Sequence, residues 1–98
     1  MVTYQDLRKI SPGTLVKYYS RTGRHLKGQF TVLEMNNVRI RISPETGEPR
    51  PIPKKKFEEV ASQWGDYERG KIPRAVLAKN NRNTCYIFGL IHYLSLNF

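Results

Sequence analysis

The spacing of apolar residues changes near residue 53, and this change limits the fold more than any other feature of the chain. Residues 38–42 read VRIRI, an alternation with the period of a half-buried strand. Residues 57–64 instead place apolar side chains at i, i+3, i+4 and i+7, the spacing of an amphipathic helix. Strands therefore precede helices, and the sequence predicts an α+β fold with helices packed on one sheet face.

Four segments before this change have the composition of strands. They are TLVKYY (14–19), QFTVLEM (29–35), VRIRIS (38–43) and EPRPIP (48–53). Proline cannot donate a hydrogen bond to a ladder, so the last segment can form only an edge strand. We expect a three- or four-stranded antiparallel sheet, with a small, partly open SH3-like barrel as the alternative.

The segments between the strands predict the turns. Residues 20–28 read as a polar loop, and Asn36-Asn37 is expected to form a two-residue hairpin turn with positive φ angles. Gly47 is expected to supply a left-handed conformation in the next turn. Strict alternation within residues 29–35 places the even-numbered side chains on one face and the odd-numbered ones on the other.

Helical segments lie at both ends of the chain. A short helical turn is predicted over residues 3–10, with Thr3 and Asp6 as a capping box. The helix at Phe57 is expected to end between residues 65 and 70, and a shorter helix is predicted over 72–79. The last helix, capped by Asn83 or Thr84, has a buried stripe of Ile87, Leu90, Ile91 and Leu94. Two or three helices thus follow the sheet in a single domain over residues 1–98.

The balance of charge indicates a polyanionic partner. Seventeen Lys and Arg against eight Asp and Glu give a net charge of +9, which attracts nucleic acid first and anionic membrane second. No run approaches the roughly 20 apolar residues of a membrane span. The single cysteine, Cys85, excludes an internal disulfide and suits a reducing compartment. We therefore expect a cytoplasmic protein that binds DNA or RNA and does not enter a membrane.

Basic residues form three groups on the predicted elements. The first surrounds the loop of residues 20–28, the second is Arg39 with Arg41, and the third is Arg50 with Lys54–Lys56. Arg39 and Arg41 would project from one strand face about 7 Å apart, which resembles the distance between neighbouring phosphates of a nucleic acid strand. The residues predicted to contact nucleic acid are Lys17, Tyr18, Arg21, Arg24, Lys27, Arg39, Arg41, Arg50, Lys54, Lys55 and Lys56.

Structural roles for these cations remain open. Arg39 and Arg41 can pair with Glu34 across the hairpin, and the lysines of residues 54–56 can pair with the acids that follow them. However, three cations in the first turn of a helix oppose its dipole. The helix dipole favours acids in the first turn, so three lysines there indicate that the turn binds an external anion.

Catalytic and metal-binding patterns are sparse. The chain has no Cys/His cluster and no glycine-rich phosphate loop, so we expect neither a metal nor another cofactor. The enzymatic alternative is a small basic ribonuclease using His25, Arg24 and Tyr18. We expect Cys85 to be a buried small residue.

The C-terminal segment supports a different class of function. YIFGLIHYL (86–94) is more hydrophobic than a lone terminal helix requires. A protein-interaction module is therefore the principal alternative, through a homodimer at this helix, a basic face on an acidic partner, or an edge strand that accepts a partner strand.

Residues 28–94 also contain a recognisable set of positions. They are Phe30, Val32, the strand Val38–Ile42, Gly47, Arg50, Ile52, Phe57 and the helix start Asn83–Ile87. This set resembles small domains of bacterial restriction, defence and mobile-element proteins, where such domains accompany DNA-acting modules. The resemblance implies DNA or RNA recognition without catalysis, and it assigns no functional residue.

PGTLVKYY (12–19) and GQFTVLEM (28–35) resemble a second family, the toxin ribonucleases with an SH3-like barrel. The arginine-proline start that this family has on its second strand is missing here. The ribonuclease expectation therefore ranks below non-catalytic binding.

Overall fold

The computed structural model describes residues 2–19, 25–45, 47–73 and 84–97. A 3-10 helix over Tyr4–Lys9 comes first. It is followed by β1 (Leu15–Tyr19), β2 (His25–Met35), β3 (Arg39–Ser43), β4 (Arg50–Pro53), α1 (Lys54–Glu68) and α2 (Thr84–Asn97). The helix predicted over 72–79 and the predicted cap at Asn83 fall largely or wholly within residues 74–83, outside the described residues.

The four strands form one open antiparallel sheet in the order β1-β2-β3-β4. With the two α-helices, this confirms the predicted α+β class. β4 lies at an edge, as its prolines require, because Pro51 and Pro53 cannot donate to a further ladder. Gly47 has φ +96°, the left-handed conformation predicted for its turn.

The core lies between one face of the sheet and the helices. The predicted stripe of the last helix is confirmed, since Ile87, Leu90, Ile91 and Leu94 are all buried. The strands contribute Val16, Phe30, Val32, Ile40, Ile42 and Ile52, and α1 contributes Phe57, Val60 and Ala61. The opposite face of the sheet, called here the outer face, carries mainly polar and exposed residues.

The 3-10 helix begins at the predicted capping pair, with the Asp6 side chain bonded to the Thr3 backbone. The Thr3 N–H donates to Asp6 Oδ2 at 2.8 Å, and the Asp6 N–H donates to the Thr3 carbonyl at 3.1 Å. The bond from the Thr3 backbone holds the pKa of Asp6 below its ordinary value, assisted by Lys9 and opposed by slight burial. The helix is anchored by Tyr4 and Leu7, which are buried in the core.

Strict alternation in β2 is wrong beyond Val32. A register shift between Val32 and Glu34 places Glu34 opposite Arg41 and Met35 opposite the buried Ile40. Met35 therefore packs against the core, because one irregular position in a strand moves every later side chain to the other face. The shift also brings an acid beside Arg41.

The turn between β2 and β3 also differs from the prediction. It spans residues 36–38, and no described residue other than glycine has a positive φ angle. Instead, Asn36 Oδ1 accepts hydrogen bonds from the N–H groups of Val38 and Arg39 at 2.8 and 2.9 Å. The asparagine acts through its side chain, as in an Asx turn.

Two strand boundaries require correction as well. Val38 lies outside β3 and is 70% exposed, so the buried stripe of that strand begins at Ile40. The loop predicted over 20–28 is too long, because β2 begins at His25. Residues 25–28 belong to β2, which pairs with β1, and His25 lies opposite Tyr19.

Candidate nucleic-acid interface

The turn of residues 36–38 is joined to the N-terminal 3-10 helix. The Tyr4 hydroxyl donates a 2.7 Å hydrogen bond to the Asn36 carbonyl, and Arg8 Nη2 donates a 2.6 Å bond to Asn37 Oδ1. Burial raises the pKa of Tyr4, while Arg8 lowers it and Glu58 raises it. The phenol is therefore protonated at neutral pH and donates to the turn.

The start of α1 also bonds to this turn. β4 leads directly into α1, and the Lys54 N–H donates to the Val38 carbonyl at 2.9 Å. Lys54 Nζ lies 5.9 Å from the centre of the Tyr4 ring, within the range of a cation–π contact. Arg39 lies opposite Pro53 in the β3–β4 ladder, so it is close to Lys54.

Four cations from three elements thus surround one end of the sheet. We call them the tip cluster: Arg8, Arg39, Lys54 and Lys55. Arg8, Arg39 and Lys55 are exposed, and Lys54 is half-buried. Within the described ranges, none of the four forms an ion pair with an acid.

Ion pairs neutralise other cations. The pairs are Lys9–Asp6 at 3.4 Å, Arg41–Glu34 at 3.2 Å, Lys56–Glu59 at 3.7 Å and Arg69–Asp66 at 2.7 Å. Pairing with Glu34, the structural role open for Arg39 and Arg41, is therefore observed for Arg41. All eight side chains are at least 30% exposed, so each pair contributes at most about 1 kcal/mol.

The remaining predicted residues do not join the tip cluster. Lys17 lies on β1 opposite Gln29, and strand spacing places its Cα about 20 Å from that of Arg39. Arg50 lies opposite Ile42, and its guanidinium is 5.1 Å from the centre of the Tyr86 ring in α2. Arg50 therefore faces the helical layer rather than the outer face of the sheet.

Several predictions fall where the structure gives less detail. Arg21 and Arg24 lie outside the described residues. Tyr18, His25 and Lys27 lie within strands, but only their backbones are described. Within the first basic group, Lys17 is the residue whose side chain is described, and it is exposed.

Arg8 is the member of the tip cluster that was not among the predicted contact residues. Its bond to Asn37 joins positions 29 residues apart. No local spacing predicts such a contact, since it depends on how the 3-10 helix docks against the sheet. The excess of cations in the N-terminal third of the sequence was the only available signal.

The described residues lack a metal-binding group and a membrane-spanning helix, and they contain a cleft. Within them, no group of three or more His, Cys, Asp or Glu side chains could hold a metal ion. None of the helices described there is long and apolar enough to cross a membrane. A cleft of about 270 Å³ lies between β1 and α2 and includes Leu15, Tyr93 and Leu96.

Comparison of the chain with protein-family models, curated proteins and solved structures finds no match. The resemblance to small bacterial restriction, defence and mobile-element domains therefore stays a prediction.

Proposed function

We propose that this protein is a small, non-catalytic nucleic-acid-binding module that contacts phosphates through the tip cluster. The observation that carries the proposal is the convergence of Arg8, Arg39 and Lys54 from three elements around one turn, with the exposed Lys55 next to Lys54 in α1. These cations are not neutralised by ion pairs with described acids. Such a surface attracts the phosphate backbone of DNA or RNA.

Arg41 extends this surface along β3. It lies two residues from Arg39, about 7 Å away along the strand. Its exposed pair with Glu34 is weak enough for a phosphate to compete for the guanidinium. Arginine offers a planar set of donors suited to phosphate oxygens. The proposed contact surface therefore contains five cations.

The start of α1 supports an external anion. Its first turn contains three lysines and no acid, and Pro53 provides no side-chain cap. Each of these positive charges opposes the helix dipole and lowers the stability of the helix by a few tenths of a kcal/mol. Bound phosphates would offset this cost, in addition to the exposed Lys56–Glu59 pair and the contact of Lys54 with the Tyr4 ring. In this proposal the protein acts in the cytoplasm.

Salt dependence tests the proposal directly. If the five cations neutralise five phosphates, the logarithm of the association constant should fall against the logarithm of salt concentration with a slope of about −4.5 on duplex DNA. Fluorescence anisotropy with a labelled duplex of about 20 base pairs, and with the matching single strand and duplex RNA, measures this slope. An affinity that does not change between low and moderate salt would contradict phosphate binding.

A homodimer is the second candidate, and the cleft between β1 and α2 favours it. Leu15 and Leu96 line this cleft and are 54% and 69% exposed. Pairing of two clefts would bury these side chains. Light scattering should then give the mass of two chains, and the double variant Leu15→Ser and Leu96→Ser should give the mass of one. A monomeric wild-type protein would contradict this candidate.

A further inference from the structure

Val38 lies in the middle of the tip cluster, and the fold does not account for it. Its side chain is 70% exposed at the turn, next to Arg39 and bonded through its carbonyl to Lys54. Turns ordinarily use glycine, asparagine, aspartate or serine at such positions. A β-branched apolar residue there loses the benefit of burial and does not pair in the sheet. It instead presents two methyl groups among cations.

The turn that carries Val38 is held rigidly. Within it, the Asn36 N–H donates to the Arg39 carbonyl at 3.0 Å, and Asn36 Oδ1 accepts from two N–H groups. From outside, Tyr4 bonds to the Asn36 carbonyl, Arg8 to the Asn37 side chain and the Lys54 N–H to the Val38 carbonyl. Because five hydrogen bonds fix the backbone of residues 36–39 and a sixth holds the Asn37 side chain, the turn presents Val38 with little ordering cost on binding.

We infer that the turn of residues 36–38 enters a groove of duplex DNA, where Val38 makes an apolar contact with the base edges. This inference rests on the proposed function. A groove has base edges at its floor and a row of phosphates on each side. The turn places cations beside an exposed apolar residue in a similar way. Val38 lies between Asn37, which bonds to Arg8, and Arg39. Its carbonyl accepts a hydrogen bond from the Lys54 N–H.

Duplex DNA fits this arrangement better than the alternatives do. Duplex RNA has a deep, narrow major groove that side chains cannot read. Binding of single strands depends mainly on stacking of bases on aromatic rings, and no aromatic residue lies in residues 36–41 or 50–55. A membrane surface also attracts cations, but one valine offers little apolar surface for insertion between lipids.

The test compares two serine variants. Val38→Ser removes the proposed apolar contact, and Leu96→Ser removes an equally exposed apolar side chain at the far end of α2, since Val38 is 70% and Leu96 69% exposed. We expect Val38→Ser to weaken binding to duplex DNA about tenfold, the equivalent of one desolvated valine. Its salt slope should equal that of wild type, because no phosphate contact is lost. Leu96→Ser should bind as wild type does, with both proteins assayed at a concentration where light scattering gives the mass of one chain.

The outcomes separate this inference from the proposed function. If wild type fails to bind any nucleic acid, the proposed function itself fails. Steep, salt-dependent binding that Val38→Ser leaves unchanged, or that both serine variants weaken equally, overturns the groove contact alone. Equal affinity for the single strand also overturns it. Binding to vesicles of phosphatidylserine and phosphatidylcholine without binding to DNA would assign the surface to membranes.

Discussion

Replacing Gly89 with alanine should lower the free energy of unfolding by about 2 kcal/mol, the typical cost of overpacking a core. Gly89 is buried in α2, and a Cβ there would lie 2.6 Å from the Lys17 carbonyl oxygen and 3.2 Å from Phe30 Cε1. The first neighbour is backbone and the second is a fully buried ring, so neither can move aside. α2 would have to move away from β1. Urea unfolding followed by circular dichroism measures the change.

Gly65 provides the matched control, because it is a helical glycine with open surroundings. A Cβ at Gly65 would meet only the Arg69 guanidinium, at 3.7 Å or more. Gly65→Ala should therefore raise the free energy of unfolding by roughly 0.5–1 kcal/mol, the gain in helix propensity. The two substitutions are thus expected to change the free energy of unfolding in opposite directions. If both stabilise the protein, the close approach of α2 to β1 is wrong.

Neutralising two cations of the tip cluster should weaken nucleic-acid binding about thirtyfold. In the double variant Arg39→Gln and Lys55→Gln, two phosphate contacts are lost, each worth about 1 kcal/mol. The salt slope on duplex DNA should become shallower by about 1.8. The melting temperature should stay close to that of wild type, since both side chains are exposed and neither forms an ion pair with a described acid.

The control removes the same charge from another part of the molecule. Arg69→Gln with Lys71→Gln also lowers the net charge from +9 to +7, since each double variant removes two positive charges. Residues 69 and 71 follow the end of α1, about 20 Å along the helix axis from Lys54. If this control weakens binding as much as the tip variant does, net charge rather than the tip cluster drives binding, and the proposed site is wrong.

The prolines and the apolar spacing were sufficient to predict most of the architecture. Prolines at 49, 51 and 53 predicted an edge strand, and β4 is one. The helical stripe from Phe57 predicted α1, with Phe57, Val60 and Ala61 buried and Trp64 packed at the edge of the core. These features are local, because the period of a strand or helix appears directly in the spacing of its buried residues.

Irregular positions were not predictable from the same spacing. The register shift after Val32 moves Glu34 to the outer face and Met35 to the core. Nothing in the alternation of QFTVLEM indicates where a strand will bulge, since the bulge satisfies packing against β3 and the helices. The Asn36 turn was placed correctly but given the wrong conformation, because asparagine can stabilise a turn through either its backbone or its side chain.

The sequence by itself determined the order of strands and helices, the buried stripes and the surplus of positive charge, since each depends on neighbouring residues or on composition. Only the tertiary structure decided which cations meet. It placed Arg8 beside Asn37 and Lys54 beside Val38, paired Arg41 with Glu34, and separated Lys17 from all of them. The reason is that these distances arise from docking of the 3-10 helix, the sheet and α1 on one core, which no local pattern encodes.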